Sequence, residues 1–138
     1  EEIDPERLRQ AAREAAEGAE VLICEGVGGL LVPLSPTYLV RDLAVDLGYP
    51  LVIVAAAGLG TVNHTLLTVE SARTAGLEVA AVALNPWPEA PTGIEQSNRE
   101  TIATLANVPV HTLPSVDVNR PGTWPPLRIP MPRDDCGG

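Results

Sequence analysis

The sequence predicts an α/β fold built on a parallel sheet with helices on both faces. Short apolar or β-branched runs alternate with stretches of helical periodicity in the order β, α, β, α, β, α, β, and the connections between runs are of helical length. The 138 residues contain no Phe, so the core must be made of small aliphatic side chains. Apolar runs without polar alternation mark strands covered on both sides, and crossovers of helical length join parallel neighbours.

The chain opens with a predicted helix from Pro5 to Ala19. Its apolar positions Leu8, Ala11, Ala12, Ala15 and Ala16 fall at helical spacing, with Asp4 as N-cap, Pro5 in the first turn and Gly18 near the end. Val21 to Cys24 reads as a first buried strand, followed by the turn Gly26, Val27, Gly28, Gly29. Leu30 to Leu34 is short and apolar, and Ser35, Pro36 and Thr37 punctuate it before a helix from about Leu39 to Leu47 that Gly48, Tyr49 and Pro50 end. Leu51 to Ala56 predicts a fully buried parallel strand. Gly58 to Asn63 turns the chain into a helix with Val62, Leu66, Val69 and Ala72 on one face, stopped by Gly76. Val79 to Leu84 is a third buried strand, Asn85 to Gly93 a Pro-rich loop, Ile94 to Asn107 a helix and Val110 to Leu113 a last short strand. Beyond Asp117, Pro121, Pro125, Pro126, Pro130 and Pro132 forbid a regular helix or central strand. Residues 1–117 are therefore expected to form one α/β domain, and residues 118–138 an extended or disordered tail.

Composition excludes several classes of partner. A net charge of −9 argues against nucleic acid and anionic membranes, which clustered cations must meet. No apolar run approaches the roughly 20 residues that span a bilayer, and the acidic start is unlike a signal peptide, so a cytoplasmic location is expected. Cys24 in the apolar run and Cys136 in the tail do not make a disulfide framework; a buried and an exposed thiol are expected. All nine basic residues are Arg, so the chain holds no GxxxxGK[ST] phosphate loop.

The candidate chemistry gathers where strands end. Glu25 closes an apolar strand and runs into a glycine turn, a position from which a carboxylate can reach Mg²⁺ beside a phosphate; a solvated Glu ending a strand is the alternative. Gly26, Gly28 and Gly29 would let amides approach an anion, although glycines serve tight turns equally well. Thr61 reads as an N-cap, and the first-turn amides of Thr61, Val62 and Asn63 suit a carboxylate, with plain helix capping as the rival. Asn85 can donate and accept at once, which complements the adenine edge, or can simply form a turn before Pro86. His64 and His111 have neither metal-ligand spacing nor an adjacent nucleophile. Trp87 and Trp124, each beside Pro, either cover an apolar ligand or pack a loop onto the domain.

Four ordered blocks, VLICEGVGGLLVPLS, LVIVAAAGLGTVNHTLLTVESARTAGL, VAAVALNPWP and VHTLPSVD, together resemble the C-terminal part of dethiobiotin synthetase. The resemblance runs from about Val21 to Val116, and the stretch GLGTVNHTLLT is its most specific part. It implies a P-loop NTPase-like α/β fold, incomplete at its N-terminal side, and an ATP-dependent cyclo-ligase of biotin biosynthesis that closes a ring on 7,8-diaminopelargonate with CO₂, ATP and Mg²⁺. By this resemblance Glu25 matches a magnesium ligand, and Gly26, Val27 and Gly28 match the turn against nucleotide and substrate. Thr61, Val62 and Asn63 match the helix start that takes the substrate carboxylate, in the family from a neighbouring subunit, which implies a homodimer. Asn85 matches the adenine reader, and Pro114, Ser115 and Val116 match the loop along the adenine ring. The family's phosphate loop and catalytic lysines have no counterpart here. The expectation is thus the C-terminal portion of such an enzyme, inactive alone, as either a truncated piece or one half of a split enzyme with a separate N-terminal segment; the alternatives are a non-catalytic dimerisation or ligand-sensing module and another ATP-dependent ligase of the P-loop group.

Overall fold

The computed structural model describes residues 3–26 and 28–126. The first helix, α1 (Pro5–Ala16), starts as the sequence predicts: Asp4 accepts a hydrogen bond from the Glu6 amide at 2.9 Å, and Pro5 occupies the first turn. It ends three residues before Ala19. Arg9 then pairs with Glu6 on its own helix and with Asp46 across a tertiary contact.

The predicted strand Val21 to Cys24 is not one. The segment is irregular; Val21 and Ile23 are 65% and 87% exposed, and Cys24 is an exposed free thiol rather than a buried one. An apolar run becomes a strand only when a neighbour completes its ladder, and no described strand lies alongside it. The next apolar stretch folds into a small antiparallel ribbon, β1 (Pro33–Ser35) and β2 (Tyr38–Leu39), which leads into α2 (Val40–Leu47). Asp42 accepts from the Leu39 amide at 2.8 Å and so caps the helix start, and Gly48 ends it in the left-handed region at φ 69°.

From residue 51 onward the chain is regular. β3 (Leu51–Ala55), α3 (Thr61–Thr74), β4 (Val79–Trp87), α4 (Gly93–Ala106) and β5 (Val110–Pro114) form a parallel sheet of order β3-β4-β5, with each helix crossing between adjacent strands. β4 is the central strand, and every residue from Val79 to Leu84 is buried. Its ladder extends to Trp87, so the first part of the predicted Pro-rich loop belongs to the sheet. The core joins Ile53, Val82 and Leu84 of the strands to Val69 and Ala72 of α3 and Ile102 and Ala106 of α4.

β3 departs from the expected full burial. Ile53 faces this core, but Val52 and Val54, of opposite parity, are 37% and 67% exposed. β3 is an edge strand among the described residues, which leaves one side of its ladder unpaired. Gly76, at φ 80°, ends the α3 turn as predicted, and Arg73 donates to the Ala106 carbonyl at 2.6 Å, tying the end of α3 to the end of α4. After β5 a single 3₁₀ turn, Pro121–Thr123, brings the Trp124 indole N–H to the Asp117 carbonyl at 2.8 Å. The remainder of the predicted tail, with Cys136, Pro130 and Pro132, lies outside the described residues.

Candidate functional site

The carboxyl ends of β3, β4 and β5 enclose a cleft of about 580 Å³. Ala56, Ala57 and Gly58 line it from the turn after β3, Pro86, Trp87, Pro88 and Glu89 from the end of β4, Glu95 from α4, and Pro114 and Ser115 from the end of β5. In an open parallel sheet this rim is where ligands bind, because strand ends and helix starts converge there. The Asn98 side chain donates to the Ala57 carbonyl at 3.2 Å and so fixes the β3–α3 turn against α4. Glu95 is fixed as well: its Oε2 accepts from the Thr92 amide at 2.6 Å and from the Thr92 hydroxyl. These bonds, the Thr92 hydroxyl first, hold its carboxyl below the usual range.

The sequence candidates divide into three groups. Pro114 and Ser115 line the cleft, and half-buried Asn85 immediately precedes its lining residue Pro86, so the residues matched to the adenine site meet at one end of the sheet. Val116 follows them and is 40% exposed.

Thr61 lines a second cavity, of about 170 Å³, between the open edge of β3 and α3, with Val54, Leu59, His64 and Thr65 among its walls. The N-cap of α3 is Gly60, in the left-handed region at φ 87°, and not Thr61. Thr61 is the first helical residue; its amide donates to the Gly58 carbonyl at 3.2 Å, and its buried hydroxyl lies 3.5 Å from that of Thr65. Only Val62 and Asn63 therefore keep first-turn amides without a bond among the described residues.

Glu25 lines neither cavity. It is exposed and makes no hydrogen bond or ion pair among the described residues. The turn after it rests on the β1–β2 ribbon and α2: a Cβ on Gly26 would stand 2.6 Å from Val40 Cγ1, and one on Gly28, whose φ is 79°, 3.0 Å from Val32 Cγ2. Val27 lies outside the described residues. No cluster of three or more His, Cys, Asp or Glu able to hold a metal occurs among the described residues.

Sequence reasoning missed Asn98, Glu95 and Glu89, and it left Trp87 undecided. The T-x-x-E spacing of Thr92 and Glu95 was the available signal for one of them. Asn98 sits mid-helix and had none.

A family model described as an AAA domain matches residues 1–119, and the chain belongs to that family. Its fold is accordingly a P-loop NTPase-like α/β arrangement. More particularly, it is similar to the ATP-dependent dethiobiotin synthetases of Rhodococcus erythropolis (41% identity over 102 residues, 73% of this chain and 45% of the relative) and Chlorobaculum tepidum (39% over 122 residues, 88% and 51%). A third, from Anaeromyxobacter dehalogenans, is 50% identical over 84 residues, 61% of this chain and 38% of the relative. The chain spans about half the length of the curated relatives it matches. No helix among the described residues is long and apolar enough to cross a membrane.

Proposed function

We propose that residues 1–117 form the nucleotide- and substrate-facing part of an ATP-dependent dethiobiotin synthetase, with residues 118–138 as an appendage. The observation that carries this is the cleft at the strand ends, where Pro114, Ser115 and the Asn85–Pro86 step converge in a chain related to ATP-dependent synthetases. In the proposed reaction one amine of 7,8-diaminopelargonate adds to CO₂ and loses a proton, giving a carbamate. ATP transfers its γ-phosphoryl group to the carbamate oxygen, and the second amine attacks the carbamoyl carbon, closing the ring and releasing inorganic phosphate.

Within that scheme Asn85 reads the adenine edge, and Pro114, Ser115 and Val116 flank the ring. The amides of Val62 and Asn63, with Thr61, receive the substrate carboxylate. Gly26, Val27 and Gly28 bring backbone close to nucleotide and substrate. Mg²⁺ would neutralise charge on the phosphates. The exposed Glu25 carboxylate, without a partner among the described residues, fits one ligand position of that ion, whose remaining ligands would be phosphate and water.

Positioned cations around the γ-phosphate are each worth several kcal/mol of barrier, on the order of 3–4. This chain has no Lys, and none of the residues lining the cleft is a cation, so in this reading those groups are supplied by another polypeptide segment. A cytoplasmic homodimer is the assembly we propose. Calorimetric titration with MgATP and with diaminopelargonate separately tests the reading. ATP binding that Asn85→Ala weakens supports it; binding of the diamine with none of the nucleotide would instead mark a ligand-sensing module.

A further inference from the structure

We infer that the cleft is selective for nucleobases bearing an exocyclic amino group, with Trp87 supplying a stacking wall and Glu89 the acceptor that reads the amino hydrogens. This rests on the nucleotide reading of the cleft and adds two residues to it.

The electrostatics of the lining decide which part of a nucleotide enters. Glu89 and Glu95 both line the cleft, and none of its lining residues is a cation. A triphosphate placed among two carboxylates would be repelled, whereas a neutral base would not. Apart from Ser115, the remaining side chains of the walls are apolar, chiefly the Trp87 indole with Pro86, Pro88 and Pro114. Trp87 is half-buried and packs on the hydrophobic core while also lining the cleft, so it is held on one side and available on the other. A fixed aromatic surface beside prolines suits the flat face of a base, and stacking of this type is tolerant of base identity.

Asn85 and Ser115 can each donate or accept and so meet an amino group or a carbonyl alike; selectivity must therefore come from a group that only accepts, and the two carboxylates differ in availability. The Glu95 oxygen that bonds Thr92 is engaged in capping α4. Glu89 is exposed and has no hydrogen-bond partner among the described residues. A carboxylate accepts and cannot donate, so it favours an amino group and disfavours a carbonyl at the same position. Adenine and cytosine present the amino group; hypoxanthine and uracil present the carbonyl.

The test uses the full 138-residue chain and nucleosides, which carry no phosphate. Binding of adenosine and inosine is measured by calorimetry for the native chain and for Trp87→Phe, Trp87→Leu and Glu89→Ala, with circular dichroism as the folding check. Adenosine is expected to bind at least about fivefold more tightly than inosine, and Glu89→Ala to bring that ratio below about 2. Trp87→Phe should stay within about threefold of native affinity while Trp87→Leu, which keeps an apolar side chain without an aromatic face, loses at least about fivefold. Native-like adenosine affinity in Trp87→Leu, or an unchanged adenosine-to-inosine ratio in Glu89→Ala, overturns the inference and leaves the cleft a nucleoside site. Failure of the native chain to bind any nucleoside up to about 10 mM, a very weak affinity limit, overturns both the cleft reading and this inference.

Discussion

Gly26 and Gly28, in the turn after Glu25, are constrained in two different ways. At Gly28 a positive φ and a Cβ clash at 3.0 Å with Val32 act together, so Gly28→Ala should cost about 1–2 kcal/mol and lower the melting temperature by several degrees. Gly26 is limited by packing alone, since the obstacle is one methyl of Val40 at 2.6 Å. Gly26→Ala should destabilise, and the double variant Gly26→Ala/Val40→Ala should recover part of the loss; denaturant melts of the two single variants and the double give the coupling. Glu25→Gln, by contrast, removes no hydrogen bond or ion pair found among the described residues. Its melting temperature should match the native chain, while the magnesium-dependent part of ATP affinity falls. Equal ATP affinity with and without Mg²⁺ in the native chain would remove Glu25 from the proposed metal site.

At the scale of elements, α4 begins with a reciprocal cap. The Thr92 hydroxyl accepts from the Ile94 amide at 3.3 Å, and Glu95 accepts from the Thr92 amide. Thr92→Ala should cost about 1 kcal/mol of stability, read in urea melts. Because the folded state holds the Glu95 carboxyl below its ordinary value of 4.5, its contribution is present above that pH and is lost as pH falls through the lower folded value. A Glu95→Gln variant should flatten that acid limb of the stability profile. The α1–α2 contact carries the Arg9–Asp46 ion pair, and Tyr38 of β2 donates to the same Asp46 carboxylate at 2.6 Å; burial together with that carboxylate pushes its hydroxyl up to about 12.

Periodicity and punctuation were enough to locate α3, α4 and the three long strands, because each carries its own stop signals and finds its partner in the next strand along the chain. Gly48 and Gly76 sit at the left-handed positions their context demanded. Val21 to Cys24 was misread because an apolar run states only that neighbours are required, not that they are at hand. Burial of Val52 and Val54 failed for the same reason. The cap of α3 fell to Gly60, one residue before the expected Thr61, because the left-handed turn there accepts no side chain cheaply. Within the cleft, Pro114 and Ser115 were legible only through resemblance and Asn85 also from its amide at a strand end; Glu95 had its capping spacing as a signal, whereas Asn98 and Glu89 depend on how helix and sheet meet.

For the molecule as a whole, the absence of any Lys and the edge of β3, unpaired among the described residues, make two separate expectations. The purified 138-residue chain should show no dethiobiotin formation from diaminopelargonate, bicarbonate and MgATP; measurable turnover would contradict the role proposed for an additional cationic segment. The exposed Val54 beside Leu59, whose side is fully open to solvent, should drive association. Light scattering should report a species larger than one chain, and Val54→Lys should shift it towards the monomer.

The order in which the three long strands lie in space is also the order in which they are synthesised. Each new strand docks on the one just made, so closing the sheet never requires a long loop to find a distant end. The region from Leu51 to Pro114 can accordingly acquire its native pairing while the chain is still leaving the ribosome, with the central strand as the template on which β5 is laid.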